Sequence, residues 1–203
     1  MNTNSSSSCI AFVGTQCIAA GDLHSVVAAV KQRMDVGEQN HIMIFDDMTS
    51  EPIEVDFRGT LKAVLHRLPQ PAVQEEVVES EAVARAPGRP KLGVIAREVT
   101  LLPRHWEWLA AQPGGASVVL RKLVEEASRA NEAKDRIRQA QESAYRFMSA
   151  LAGNLPGYEE AMRALFAGQP EQFGVFTEAW PMDVRDHARR LALRAFGVTG
   201  ERS

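Results

Sequence analysis

Cys9-Ile10-Ala11-Phe12-Val13-Gly14 is a run of five apolar residues closed by a glycine. Such a run reads as a short buried strand, and Gly14 as the turn that returns the chain along Thr15 to Ala20 as a hairpin partner. Asp22 then opens a helix as its N-cap, with Leu23, Val26, Val27 and Val30 at helical spacing. The helix is expected to end near Met34 and to be stopped by Gly37. His41-Ile42-Met43-Ile44-Phe45 is a second apolar strand, Asp46 to Ser50 a turn, and Ile53, Val55 and Phe57 alternate as a returning strand. The order is strand, strand, helix, strand, strand. Leu61, Val64, Leu65 and Leu68 add a short amphipathic helix. This predicts a small α/β domain over 9–68, built around Phe12, Val26, Val30, Ile44 and Phe45, that folds as a fragment ending near Pro69.

Around that segment the chain has an ordinary globular composition, 45% hydrophobic and 24% charged residues in 203, enough to bury a core. No run approaches the twenty apolar residues of a membrane span. The polar start, Met1 to Ser8, lacks the basic onset of a secretory signal. Two cysteines, Cys9 and Cys17, neither staple a fold nor build a four-ligand zinc site, so a cytoplasmic protein with reduced thiols is expected. They read as small buried hydrophobes that sit close only if the hairpin places them so. Adjacent Asp46 and Asp47 would point to opposite faces of a strand, and read as turn residues rather than metal ligands. His24, His41 and His66 have no ligand spacing.

The net charge of −3 conceals an asymmetry. Residues 1–84 carry 5 Lys/Arg against 12 Asp/Glu, 85–138 carry 11 against 6, and 139–203 carry 7 against 8. An acidic head, a basic middle and a near-neutral tail suggest segments with different roles. Residues 69–90, with Pro69, Pro71, Pro87, Pro90 and four glutamates, have the composition of a linker. It ends in Gly88-Arg89-Pro90-Lys91, which resembles an AT-hook, an arm that inserts arginine into the narrow minor groove of A·T-rich DNA. A Pro-rich hinge is the alternative.

Arg97-Glu98-Val99-Thr100-Leu101-Leu102 is a β-prone run. Pro103 suits the first position of a helix carrying Trp106, Leu109 and Ala110. Pro113-Gly114-Gly115 breaks that helix, and Ser117 can cap a second with the stripe Leu120, Leu123, Val124 and Ala127. Over residues 97–130 this order resembles the ribbon-helix-helix family of dimeric DNA-binding proteins. The resemblance implies that two chains pair their strands into a ribbon for the major groove. Val99 and Leu101 would face inward, and Glu98 and Thr100 the bases. Amides near Gly115 to Val118 would hold a phosphate, with Ser117 at their centre, and Arg121 and Lys122 would add backbone contacts. The candidate DNA-binding residues are therefore Arg89, Lys91, Arg97, Glu98, Thr100, Ser117, Arg121 and Lys122. Glu98 repels phosphate although it can accept from cytosine, and the opposite register presents Arg97, Val99 and Leu101, which is poor in polar readers. An ordinary strand-helix-helix with solvated charges stands beside the DNA reading.

Helical character continues past Ser128, giving a ribbon-helix-helix-like basic segment with a long helix over 91–152. Ala144, Phe147, Met148, Leu151 and Ala152 form a packing face, and Gly153 to Pro156 end it. Three shorter helices follow in an all-α unit over 153–199, stopped by Gly168 and Gly197. They carry Tyr158, Met162, Leu165 and Phe166, then Phe173, Phe176 and Trp180, then Val184, Ala188, Leu191 and Phe196. Asp183, Asp186 and His187, with Arg185 and Arg189 nearby, read as a surface ion-pair network. Gly88-Arg89-Pro90-Lys91-Leu92-Gly93, the run Arg97 to Trp106, Gln112 to Ser117, Ala152 to Ala161 and Trp180 to Asp186 resemble an uncharacterised bacterial family, a domain of unknown function. That resemblance spans nearly the whole chain and implies no activity. The expected fold is α+β. The expected function is a cytoplasmic homodimeric regulator that binds double-stranded DNA, without a membrane. The alternative is a non-enzymatic adaptor for a partner protein. No phosphate loop, nucleophile elbow or metal-ligand pattern is present, so neither enzyme activity nor a cofactor is expected.

Overall fold

A computed structural model of the chain describes residues 8–38, 40–69, 95 and 97–197. It is an α+β protein. Strands β1 (Ser8–Val13), β2 (Gln16–Asp22) and β3 (Ile42–Asp46) form an antiparallel sheet in the order β2-β1-β3. Helix α1 (Leu23–Asp35) connects β2 to β3, and α2 (Leu61–Arg67) follows. Asp22 caps α1 as its spacing predicts, its carboxylate accepting from the Ser25 amide at 3.0 Å.

The chain divides into two compact units. One takes the described residues up to 71 and those from 132 onward, and the other takes those between.

In the first unit, the period-2 alternation of β1 decides what each face of the sheet meets. Cys9 and Ala11 turn to one side with Ile44, where Val26, Val27 and Val30 of α1 and Val64 of α2 cover them. Ile10 and Phe12 turn to the other side with Phe45. That side is covered by the second half of α4 (Ala116–Leu151), by α5 (Tyr158–Phe166), by α6 (Pro170–Phe176) and by α7 (Met182–Ala195), through Phe147, Met148, Leu165, Phe173 and Leu191. A sheet apolar on both faces must be buried on both.

Two expectations are corrected here. The residues 9–68 and 153–199, read as separate units, share a hydrophobic core: Phe12 and Phe45 pack with the C-terminal helices, and only Val26, Val30 and Ile44 of the proposed N-terminal core pack together. The predicted fourth strand is also absent. Ile53, Val55 and Phe57 do alternate inward, half-buried against the α1 side. Yet among the described residues the segment joins the sheet only through an isolated Phe45–Pro52 bridge, in which the Ile53 amide donates to the Ile44 carbonyl at 2.8 Å and the Asp46 amide to the Glu51 carbonyl at 2.9 Å. Pro52 is tolerated there because it occupies the non-hydrogen-bonded position of the bridge, and the pairing does not continue beyond Ile53.

The second unit holds α3 (Pro103–Ala110) and the first half of α4. No helix among the described residues is long and apolar enough to cross a membrane.

Candidate functional site

The second unit contains most of the residues assigned to DNA. Pro103 opens α3 at its first turn, as expected. The connection to α4 passes through Gly114 and Gly115 at φ +91° and +76°, two consecutive left-handed positions that only glycine occupies without strain. The Gly115 carbonyl accepts from the amides of Val118 and Val119, both at 3.2 Å, so α4 starts one residue before Ser117. Ser117 is therefore inside the first turn and is not the cap. The amides of Ala116 and Ser117 have no backbone acceptor among the described residues, while that of Val118 is taken. Arg121 folds back along the helix, its Nε donating to the Ser117 carbonyl at 3.1 Å. Arg97, Glu98, Thr100 and Lys122 are exposed. Arg89 and Lys91, with the AT-hook-like run and nearly all of the 69–90 linker, lie outside the described residues.

Arg97 to Leu102 forms no strand with any other of the described residues. Its backbone is extended where it enters α3, with Leu102 at φ −67° and ψ 151°. In the single chain Val99 is 55% exposed beside Glu98 and Thr100, while Leu101 is half-buried. The stripe of α4 is likewise in solvent, with Leu123 at 43% and Val124 at 66%. A strand without a partner has nothing to satisfy its ladder or cover its apolar side.

A different polar cluster lies in the first unit, where α7 meets the sheet. Asp47 holds Arg190 through both carboxylate oxygens, at 2.8 and 2.5 Å. The Arg190 guanidinium also donates to Nδ1 of His187 at 2.7 Å, which places the imidazole proton on Nε2. His187 is 5% exposed and wedged between Phe147 and Phe12, with ring centroids 4.3 and 5.8 Å away. Its Nε2 has no hydrogen-bond partner among the described residues. Burial, reinforced by Arg190, pushes its pKa down to about 4. The hydrogen bond from Arg190 holds the Asp47 carboxyl below its ordinary value. Asp183 accepts from the Cys17 amide at 2.8 Å.

His187 is thus buried in the core and Asp183, half-buried, holds β2, while Arg185, Asp186 and Arg189 of the expected network remain in ion pairs. Arg185 pairs with Asp186 and Glu178, and Arg189 with Glu178. Burial and then Asp183 push the Cys17 thiol up, which opposes thiolate chemistry. Cys9 and Cys17 sit on opposite faces of the sheet, because the β1–β2 pairing sets Cys9 opposite Gly21 and Cys17 opposite Phe12. Among the described residues no group of three or more His, Cys, Asp or Glu is placed to hold a metal. The turn reading holds for Asp46, which accepts from the amides of Met48 and Thr49 at 2.9 and 2.8 Å. Asp47 was missed as a partner of Arg190, 143 residues away, since no local pattern encodes a pair at that separation.

Fold and site together define an α+β protein with a sheet enclosed by helices on both faces and a second helical unit with several large apolar side chains exposed. The chain belongs to the bacterial family described as Uncharacterized protein conserved in bacteria (DUF2239), which matches residues 8–192. No curated protein and no solved structure matches it.

Proposed function

We propose that the protein is a homodimeric DNA-binding regulator of the cytoplasm, using residues 97–130 as a ribbon-helix-helix-like module. One observation carries this reading. Ile95, Val99, Leu102, Trp106, Trp108, Leu123 and Val124 are all between 42% and 76% exposed, around an extended segment with no strand partner among the described residues. So many large apolar side chains exposed in one short stretch are the kind that a partner surface covers. A second copy supplies both what the segment needs, an antiparallel strand, and what the stripe needs, an equivalent stripe. The free amides at the start of α4 offer a phosphate site.

The charge distribution refines the expected contacts. Residues 97–131 carry 5 Lys/Arg against 4 Asp/Glu, so the positive excess of the middle segment sits on its flanks, in Arg85, Arg89 and Lys91 and in Lys134, Arg136 and Arg138. The arm around Arg89 then supplies most of the non-specific attraction.

Sedimentation equilibrium and gel-shift titration of the full chain test the proposal together. The wild type should be a dimer that binds mixed genomic DNA at low salt, with affinity falling steeply as salt rises. Val124→Glu should yield monomers that no longer bind. Arg89→Ala should weaken all sequences alike, whereas Thr100→Ala should change which sequence is preferred, by roughly 1–3 kcal/mol per lost base contact. A monomeric wild type, or a dimer that binds no DNA at low salt, overturns the reading. The latter outcome assigns the module to a partner protein.

A further inference from the structure

The first unit contains a cavity of about 890 Å3 between the turn that follows β3, the middle of α4 and the end of α7. That volume is within the range of small-molecule sites. Its walls include Met48, Ile137 and Leu191, and three guanidinium groups, from Arg136, Arg146 and Arg194. We propose that this cavity binds a monoanionic amphipathic small molecule, a carboxylate on an apolar body.

The wall is built rather than incidental. Ser50 is fully buried and adopts φ +54°, an uncommon conformation for a residue with a Cβ. Its hydroxyl is bonded to that of Ser143 at 3.0 Å, and Ser143 lines the cavity. The neighbouring Thr49 carbonyl accepts from Arg146 at 2.9 Å, which fixes that guanidinium along the wall. Strained backbone held by buried hydrogen bonds is concentrated at ligand sites.

Charge selects the ligand class. Two carboxylates, Glu51 and Glu142, share the lining with the three arginines. Glu142 is already engaged, by Arg138 at 3.2 Å and Arg146 at 3.8 Å. Arg136 makes no ion pair among the described residues, and Arg194 is turned toward the sulfur of Met48. The lining therefore has one positive charge in excess, which a single carboxylate neutralises and a dianion oversupplies. A guanidinium recognises a carboxylate with two parallel N–H donors, and Met48, Ile137 and Leu191 accept the apolar remainder. None of these residues falls within 97–130, and only Arg136 belongs to the basic flank of the DNA-binding reading, so the small-molecule titrations are read independently of DNA binding.

Two fluorescent probes test this on the full chain: dansylglycine, which carries one carboxylate, and dansylamide, the same fluorophore without it. Dansylglycine should bind saturably at one site per chain, at least tenfold more tightly than dansylamide. Arg136→Ala should weaken dansylglycine at least fivefold and leave dansylamide unchanged, and Ala133→Trp should block the cavity to both. Both positions are exposed on α4 and both side chains line the cavity, so neither substitution disturbs the core. Octanoate should displace dansylglycine. Equal binding of the two probes, titrations unaffected by either substitution, or no saturable binding overturns the proposal. Displacement by inorganic phosphate but not by octanoate overturns the carboxylate assignment.

Discussion

Truncation of Phe147 to alanine tests whether the N-terminal sheet and the C-terminal helices are one cooperative structure. The Phe147 ring is completely buried on α4, with centroids 5.3 Å from Phe12, 5.7 Å from Phe45 and 4.3 Å from His187. It therefore joins β1, β3 and α7 at one point. Phe147→Ala should cost about 3–5 kcal/mol through lost transfer energy and the cavity left behind, a large share of the 5–15 kcal/mol that typically stabilises a domain. Phe166→Ala, at a side chain 53% exposed, should cost under about 1 kcal/mol. Urea unfolding followed by hydrogen exchange reads the effect locally. In the Phe147 variant the amides of Ile10 to Val13 and those of Val184 to Ala195 should lose protection together. By the same reasoning a fragment ending near Pro69, expected from sequence to fold alone, should not melt cooperatively, because Ile10, Phe12, Met43 and Phe45 would lose their cover. Retained protection in β1 while α7 opens, or a cooperative melt of that fragment, would refute the shared core.

Acid should destabilise the first unit through His187. Its pKa is about 4 in the folded chain and about 6.5 when unfolded, so its contribution is complete above pH 6.5 and is lost as pH falls toward 4. By pH 4.5 the loss should be roughly 2–3 kcal/mol, and His187→Gln, which keeps an acceptor for Arg190, should flatten the stability curve between those limits. Asp47, the facing carboxylate, is lowered below its ordinary 3.8 and so contributes its own loss only in stronger acid. An unchanged slope in the variant would exclude the histidine as the cause. Gly157 precedes α5 at φ +78°, and a Cβ there would lie 2.7 Å from the Phe176 carbonyl oxygen. Gly157→Ala should therefore destabilise by at least about 1–3 kcal/mol in a thermal or urea melt, and a wild-type midpoint would show that the α5–α6 contact can yield.

Much of the local structure was legible without coordinates because its causes are local. Asp22 caps α1 and Pro103 opens α3 through atoms within a few residues, and Gly168 and Gly197, at φ +69° and +70°, follow the helices they were expected to end. The apolar runs 9–13 and 42–45 became strands because each residue in them meets a neighbour on one face or the other. What a face meets is not a local property. The periodicity of β1 shows two apolar faces, but only the packed structure supplies α1 for Cys9 and Ala11 and the C-terminal helices for Ile10 and Phe12. The same limit applies to His187. Its spacing and charged neighbours suggest a surface, and its burial is decided by Phe12 and Phe147, which are distant in sequence. Residues 97–102 show the converse. Their side chains have the composition of a strand, but a strand exists only through hydrogen bonds to another, and none is present within the described residues of one chain.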